Sequence, residues 1–444
     1  MKMNTFHLIS LGCAKNTVDS DSMAQILEQD GYTPQPDPQK ADILIVNTCG
    51  FIASARDESY SVLRELADQK LPFQLLIAAG CLTQRYGKEV AEQVPGIDGI
   101  LGTRRWMDIL QLIGRIRKGS HPETWFNLPE ATNVGSDDGN LLRASISGSS
   151  AFLKIADGCR RPCAFCAIPL IKGTTVSRPL EKIIQDAVRL QSQGVREINL
   201  IAQDTTDYGH DLGMKDGLTT LLENLLRNVP DLEWLRIMYA FPGFISDRLI
   251  ECMANNPQIL PYLDIPLQHA HSATLKRMHR PANMDWVHKT IGKMRSALPG
   301  LAIRTTFIVG YPGETETEFQ TLLDFISEIR FDRIGTFKFS FEPGTTSESL
   351  GDPIPDELKE ERYQRLMEKQ QNISLQINQD FVGKKLDILV EGNDRNLSIG
   401  RSYRDAPEID GLVIAEGKAQ IGQIVPVQIL GAMAYDLTGK LWSR

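Results

Sequence analysis

The sequence predicts an α/β fold in three parts: an N-terminal parallel α/β domain, a central partial (βα)6 barrel and a C-terminal small antiparallel β-barrel. Three observations lead to this prediction. Short apolar runs alternate with helical segments through residues 1–118, six more strand-like runs alternate with helices between 151 and 344, and short strands separated by Gly, Asn and Asp fill the end of the chain. Alternating strands and helices are typical of parallel sheets, whereas closely spaced short strands are typical of small barrels.

The N-terminal domain, residues 1–118, is predicted from the runs "TFHLISLGC", "ADILIVNTC" and "QLLIAAGC", each of which ends in a cysteine. Helices are expected over 53–69 and 83–94. In open parallel sheets, ligands bind just beyond the carboxyl ends of the strands. We therefore expect Cys13, Cys49 and Cys81 to meet in one crevice. For each cysteine alone, burial as a small apolar residue is the alternative.

The next segment, residues 119–148, is rich in Gly, Ser, Pro, Asn and Asp and predicts a linker. The central domain, 149–379, is expected to end in a long polar helix over 356–379. Its six strand runs are too few for a complete eight-stranded barrel, so we expect a partial barrel that is open on one side. Residues 380–444 form the predicted C-terminal barrel. The central strand runs are "AFLKIADG", "EINLIAQDT", "WLRIMYAFP", "YLDIPLQHA", "AIRTTFIVGYPG" and "RIGTFKFSFEPG".

The composition, with 42% apolar and 23% charged residues, is that of a globular protein. No apolar run approaches the roughly 18 residues of a membrane span, and the apolar stretch before Cys13 is too short for a signal peptide. We therefore expect a cytoplasmic protein with no membrane partner. The net charge of −8 disfavours sequence-independent nucleic-acid binding and suits a basic protein partner.

The stretch "ADGCRRPCAFCAIP", residues 156–169, places Cys159, Cys163 and Cys166 in a C-x3-C-x2-C pattern. It follows the first strand of the predicted barrel, and barrel enzymes carry their chemistry on such loops. A zinc knot is the alternative, but it needs a fourth ligand, and the next histidine is His210. Thiolates are the usual ligands of iron–sulfur clusters, and three of them leave one iron of a cubane open for a small molecule. Cys252, in a helical run, is expected to be core packing.

This pattern, on the loop after the first strand of a partial barrel, resembles the radical S-adenosylmethionine (SAM) enzymes. The resemblance implies a 4Fe–4S cluster on Cys159, Cys163 and Cys166 that binds SAM and cleaves it to a deoxyadenosyl radical. The earlier cysteines narrow the resemblance to the methylthiotransferases, which carry a second 4Fe–4S cluster on three cysteines, here Cys13, Cys49 and Cys81. The order of domains, ending in a TRAM-type barrel, is similar over essentially the whole chain.

Within this family, four positions are expected to contact SAM: Phe165, between two cluster ligands, Gln203 after the second strand, and Ile308 and Gly310 in "FIVGYPGE". Asp204 is expected to face the same mouth and to bind SAM or substrate. His269 is expected to be structural rather than catalytic. The glycine-rich "GGE" of many radical SAM enzymes is replaced here by "AQDT".

Two substrates occur in the family: an aspartate of small-subunit ribosomal protein uS12, and adenosine in transfer RNA. Long stretches resemble the ribosomal-protein branch: "SLGCAKNTVDSDSM", "AQDTTDYG", "LPYLDIPLQHA", "RTTFIVGYPGET" and "GRSYRDAPEIDG". One departure is Ala14, where the family usually has proline. The resemblance implies uS12 or the small ribosomal subunit, an electron donor and a sulfur donor as partners. Transfer RNA is a partner only under the alternative.

The C-terminal barrel supports the protein substrate without reference to the family. Residues 381–444 contain eight Lys or Arg and eight Asp or Glu, whereas RNA affinity depends on neutralising phosphates with Lys and Arg. The acidic string "RDAPEID" is expected either to meet a basic ribosomal protein or to be a solvated turn.

Overall fold

A computed structural model of the chain describes residues 4–119, 124–135 and 140–442. The N-terminal part is a parallel sheet of six strands in the order β2-β1-β3-β4-β5-β6, with helices on both faces. Its strands are β1 Thr5–Ser10, β2 Thr33–Pro34, β3 Ile43–Thr48, β4 Leu75–Gly80, β5 Gly99–Gly102 and β6 Trp125–Asn127, and its helices are α1 Ala14–Gln29, α2 Ala53–Gln69, α3 Cys81–Gln93 and α4 Ile109–Lys118.

The two central strands of this sheet explain why it forms. Every residue of β3 ("ILIVNT") and β4 ("LLIAAG") is buried, because an apolar cluster covers each face of the sheet. Near-continuous apolar runs are the pattern of parallel strands buried on both faces. The predicted N-terminal parallel α/β fold is confirmed.

The central part is an open sheet in the order β15-β14-β13-β12-β11-β8-β7. Its six strands from β8 onward are parallel, and β7 pairs antiparallel with β8. The strands are β7 Ala144–Ser147, β8 Ser150–Lys154, β9 Ala156–Asp157, β10 Val176–Ser177, β11 Glu197–Ile201, β12 Trp234–Ile237, β13 Ile259–Asp264, β14 Ala302–Val309 and β15 Arg333–Lys338. The helices are α5 Ile168–Lys172, α6 Leu180–Ser192, α7 Gly217–Asn228, α8 Asp247–Asn255, α9 Ser272–Arg277, α10 Met284–Ala297, α11 Glu316–Ile329 and α12 Asp356–Gln379.

This sheet confirms the predicted partial barrel of six βα units. Strands β9 and β10 form a separate two-stranded ribbon beside the cysteine loop. The outer face of the sheet packs against the helices in the largest apolar cluster of the molecule. Within the described residues, β15 and β7 are the two edges and do not pair with each other. Helix α12 is the predicted long polar helix.

The stretch predicted as a linker contains two strands. Strand β6 extends the N-terminal sheet and β7 extends the central sheet. Its turn-rich composition gives little sign of this, because short edge strands owe their conformation to pairing with a neighbour rather than to their own residues. Residues 120–123 and 136–139 of this stretch lie outside the described part of the chain.

The C-terminal part is a closed barrel in the order β16-β17-β18-β20-β19. It was predicted to be antiparallel, and four of its five pairings are, but β18 and β20 run parallel. A parallel pair needs a connection that crosses over, and here β19 lies between the two strands in the sequence. The strands are β16 Lys385–Asp394, β17 Leu397–Ser402, β18 Val413–Glu416, β19 Ile424–Ala432 and β20 Leu437–Leu441.

The loop between β17 and β18 enters the central barrel at the amino-terminal ends of its strands. Arg333 donates to Asp405 at 2.7 Å, and Tyr262 donates to Asp410 at 2.7 Å. Both carboxylates are buried. The "RDAPEID" string was expected to meet a basic protein or to be solvated. That expectation is wrong for these two aspartates, because Arg333 and Arg304, inside the barrel of the same chain, pair with Asp405 and Asp410.

No helix among the described residues combines the length and the apolar character of a membrane span.

Candidate iron–sulfur sites

The three N-terminal cysteines lie on neighbouring loops because β1, β3 and β4 are neighbours in the sheet. Cys13 precedes α1, Cys49 follows β3, and Cys81 is the first residue of α3. The loops touch: a Cβ on Gly12 would lie 3.0 Å from the Cys49 Sγ, and one on Gly50 would lie 2.9 Å from the carbonyl carbon of Cys81. The structure thus brings together the residues that the sequence analysis expected to meet.

The environment of these thiols is partly cationic. Burial raises the pKa of Cys81 to about 12, and the Lys172 ammonium opposes that rise. For Cys13, burial also acts to raise the pKa, but Lys15, the backbone N–H of Asn16 and Lys172 together hold it below its usual value. Burial raises the pKa of Cys49 as well. Binding to iron deprotonates a thiol, so nearby cations favour such a site.

The loop of the central part that carries Cys159, Cys163 and Cys166, the central cysteine loop, is held by backbone hydrogen bonds to the elements around it. The Cys159 N–H donates to Gly173 O at 3.0 Å, and the Ala164 N–H donates to Met278 O at 2.9 Å. Gly158 has φ +71°, and a Cβ there would lie 2.0 Å from Thr174 O. These hydrogen bonds fasten the loop backbone to its neighbours, and only glycine fits at position 158.

Two hydrogen bonds reach the sulfur atoms of this loop. The Ile168 N–H donates to the Cys166 Sγ, and Arg280 Nη1 donates to the Cys163 Sγ, both at 3.5 Å. The three cysteines line a cavity of about 420 Å³. Burial raises the pKa of Cys159 to about 11 and raises that of Cys166 further. Donors aimed at sulfur stabilise thiolates and tune iron–sulfur clusters.

The two arginines of "CRRPC" form ion pairs with two aspartates of the "AQDTTDYG" stretch. Arg161 pairs with Asp204 at 2.6 Å, and Arg160 pairs with Asp207 at 2.7 Å. Asp204 is buried, and its ion pair fixes the cysteine loop. Its expected role in binding SAM or substrate stays a prediction.

Of the four predicted SAM contacts, the structure brings two together. Phe165 and Ile308 line one cavity of about 190 Å³. Gln203 lines neither this cavity nor the larger one, although its buried Oε1 has no partner among the described residues. Gly310 donates its N–H to Glu314 at 2.5 Å. A Cβ there would lie 2.4 Å from the Lys359 Cγ. Gly310 thus packs against α12, away from both cavities.

His269 is structural, as expected. Its Nδ1 accepts the backbone N–H of His271 at 2.9 Å, so the proton is on Nε2, which donates to Glu314 at 3.0 Å. Glu314 also pairs with Arg362 at 2.8 Å. These contacts give both nitrogens of the buried imidazole a hydrogen-bond partner, and they hold the turn after β14.

The two cysteine loops share the smaller cavity. Phe51 and Ile52, which follow Cys49, form one wall, and Phe165, between Cys163 and Cys166, forms another. Glu342, which follows β15, joins the central part to the N-terminal part beside this cavity. It accepts hydrogen bonds from Arg56 at 2.5 Å and from Arg85 at 2.8 Å. We call this cavity the interdomain chamber. The sequence analysis did not identify Glu342, and a lone glutamate in "FEPG" carries no signal of it.

The residues present fit iron–sulfur clusters, because thiolates are the usual ligands of such clusters and three of them leave one iron of a cubane open. Two sets of three cysteines on facing loops, one with donors to sulfur, match that chemistry.

Comparison with known proteins agrees with this geometry. Residues 5–102 match Uncharacterized protein family UPF0004, 153–326 match the Radical SAM superfamily, and 382–441 match the TRAM domain. A protein of Roseiflexus sp. named ribosomal protein uS12 methylthiotransferase RimO is 46% identical over 98% of this chain and 97% of its own. The chain belongs to the RimO family. RimO of Chloroflexus aurantiacus is also 46% identical, over 99% of this chain and 100% of its own.

A solved structure supports the fold assigned to this RimO family member. The radical SAM methyltransferase TsrM of Kitasatospora setae, with cobalamin and a [4Fe-4S] cluster bound, has a TM-score of 0.56 and 13% identity. The match covers 88% of this chain and 82% of TsrM. At this identity the likeness concerns the fold alone. The expected radical SAM methylthiotransferase family, with SAM and 4Fe–4S clusters as its cofactors, is confirmed.

Proposed function

We propose that this chain transfers a methylthio group to the β-carbon of an aspartate in ribosomal protein uS12. The observation that carries the proposal is the interdomain chamber, whose walls include Phe51 and Ile52 after Cys49 and Phe165 between Cys163 and Cys166. Relatives at 46% identity are named for action on uS12, which favours this substrate over transfer-RNA adenosine. The equal numbers of acidic and basic residues in 381–444 agree with a protein substrate.

Cys159, Cys163 and Cys166 would hold the SAM-binding 4Fe–4S cluster, and Cys13, Cys49 and Cys81 would hold the second. When bound, the first cluster supplies the electron that cleaves SAM to a radical, and the second supplies an iron site for the transferred sulfur. Arg280 and the Ile168 N–H orient the sulfur ligands of the first cluster. Phe165 and Ile308 provide apolar walls that exclude water from a reactive radical.

The same proposal assigns boundaries and partners. Residues 1–118 form the domain of the second cluster, 149–379 the radical SAM core and 380–444 the TRAM domain, with 119–148 between the first two. An electron donor and a sulfur donor complete the reaction. A ribosomal substrate supports a cytoplasmic location for the enzyme.

The test uses anaerobically reconstituted enzyme, a reductant, SAM labelled in its methyl group, and ribosomes together with transfer RNA. Protein and RNA are separated afterwards. Label in one small ribosomal protein, at an aspartate, is the expected result. Label in transfer RNA would overturn the assigned substrate and leave the two-cluster chemistry standing.

Cysteine variants test the division of labour between the clusters. Cys163→Ala is expected to abolish SAM cleavage. Cys49→Ala is expected to leave SAM cleavage measurable while stopping methylthio transfer. Cys252→Ala is the matched control, because this cysteine is buried in the central core and is expected to retain both activities. Loss of SAM cleavage in Cys49→Ala would contradict the separate roles.

A further inference from the structure

Five charged side chains are buried where α1 meets the central cysteine loop. We call them the interdomain charge cluster. They share short ion pairs: Lys172 contacts Asp19 at 3.0 Å and Asp157 at 2.8 Å, and Lys154 contacts Asp19 at 2.5 Å. Each is 8% exposed or less. The members are Asp19, Arg143, Lys154, Asp157 and Lys172.

Lys172 connects the two cysteine loops. It is the last residue of α5, the short helix that begins two residues after Cys166. Helix α5 lies against α3, whose first residue is Cys81. Arg104 of the N-terminal domain donates to the carbonyls of Leu170 and Ile171 at 2.6 and 2.9 Å. The position of Lys172 is thus fixed relative to both sets of cysteines.

Two members of the cluster, of opposite charge, lie on elements that carry or contact the N-terminal cysteines. Lys172 ends α5, which packs against α3, and Cys81 is the first residue of α3. Asp19 lies on α1, which begins directly after Cys13, and it pairs with Lys172 at 3.0 Å. Both groups are 2% exposed, so water screens their charges only weakly.

A fixed charge beside an iron–sulfur cluster changes how easily the cluster is reduced. Reduction adds one negative charge to a group that already carries three thiolates. A buried cation stabilises the reduced form and raises the reduction potential, whereas a buried anion lowers it.

We propose that Lys172 is a positioning residue that sets the reduction potential of the cluster on Cys13, Cys49 and Cys81, and that Asp19 opposes it. The inference rests on the proposed function, because it requires a cluster at these cysteines. Lys172 raises the potential of this cluster and Asp19 lowers it. One buried ion pair therefore adjusts the site that is proposed to carry the transferred sulfur.

The experiment is an anaerobic redox titration of the reconstituted full chain with dithionite, followed by electron paramagnetic resonance. Wild type, Lys172→Met and Asp19→Asn are compared. Lys289→Met, which removes an exposed lysine on α10, is the matched control, and Lys172→Arg keeps the charge. Mössbauer spectra and iron content establish beforehand that both clusters are present in each variant.

The expected result is a pair of shifts of opposite sign. Lys172→Met lowers the equilibrium constant for one-electron reduction of the N-terminal cluster at least tenfold, about 59 mV, and Asp19→Asn raises the potential. Lys172→Arg and Lys289→Met stay at the wild-type value. The potential of the SAM-binding cluster in the same sample is recorded alongside. Loosened packing alone does not produce shifts of opposite sign.

Two results overturn the inference. One is an unchanged potential in Lys172→Met with both clusters present. The other is a shift of the same sign in Lys172→Met and Asp19→Asn. If Lys172→Met does not fold, the comparison of Asp19→Asn with wild type still decides the sign. Failure of wild type to assemble a second cluster would instead refute the proposed function, and iron content separates the two failures.

Discussion

Replacement of Glu197 by glutamine tests how the C-terminal barrel is joined to the central barrel. Glu197 is fully buried at the start of β11. It accepts from Arg236 at 2.9 and 3.0 Å, from Arg401 at 2.5 and 3.3 Å, and from Ser150 at 2.8 Å. Arg401 belongs to the C-terminal barrel. In Glu197→Gln, the buried Arg236 loses its carboxylate partner, and the buried Arg401 keeps only the partly exposed Glu391.

The magnitude follows from the pKa of this carboxyl group. Burial acts to raise the pKa of Glu197, but Arg236 and Arg401 outweigh burial and lower it from 4.5 to about 2. At about 1.4 kcal/mol per pH unit, the ionised carboxylate contributes about 3 kcal/mol to the free energy of unfolding. Breaking a buried ion pair by removing one partner costs about 3–5 kcal/mol. The pKa shift and this general cost therefore predict a similar decrease in the free energy of unfolding for Glu197→Gln.

The assay is urea unfolding followed by circular dichroism at pH 7 and at a series of lower pH values. Because the folded pKa is depressed, the stabilisation by Glu197 is fully present above about pH 4.5 and is lost as the pH falls towards about 2. The difference between wild type and variant should therefore shrink in acid. Both proteins keep all their cysteines, so acid lability of the clusters affects them equally.

The matched control is Glu223→Gln. Glu223 pairs with Arg248 at 2.8 Å on the surface, where both side chains are partly exposed, and such pairs contribute about 0–1 kcal/mol. The reasoning is refuted if Glu197→Gln is no less stable than Glu223→Gln at pH 7. A stability difference that stays constant from pH 7 to pH 3 would also refute it.

Three further variants test the sites. Gly158→Ala places a Cβ 2.0 Å from Thr174 O and is expected to lose the SAM-binding cluster. The iron content should then fall from about eight to about four atoms per chain, and SAM cleavage should stop. Gly80→Ala has φ +104° and a Cβ 2.4 Å from the Asn47 Oδ1; it should lose the other cluster and retain SAM cleavage. Glu342→Gln removes the partner of Arg56 and Arg85 and should lower the ratio of methylthiolated uS12 to deoxyadenosine, measured by mass spectrometry. Equal loss of both products would show that Glu342 does not align the domains.

The sequence predicts the parts of this molecule that depend on local pattern. The buried strands β3 and β4 are continuous apolar runs, and α12 has the bounds expected for it, since both periodicity and flanking Pro and Gly mark them. The convergence of Cys13, Cys49 and Cys81 also follows, because neighbouring parallel strands end at one edge of a sheet.

Contacts between distant parts of the chain leave no such pattern. The burial of Asp405 and Asp410 depends on Arg333 and Tyr262, which are far away in the sequence. A string with three carboxylates has the composition of a solvated turn until its partners are known. The same holds for Asp204, whose partner Arg161 lies in the cysteine loop. Only the folded chain shows which charges are paired.

The loop that joins β17 to β18 has a consequence for synthesis of the chain. Its aspartates pair with Arg304 and Arg333 inside the central barrel, yet they are synthesised after every strand of that barrel. Unpaired buried guanidinium groups destabilise a core strongly. The barrel therefore reaches its final stability only after this loop has been synthesised. A truncation near residue 380 would not release a working catalytic core, because it removes the Asp405 partner of Arg333 and leaves Arg304 with Asp264 alone.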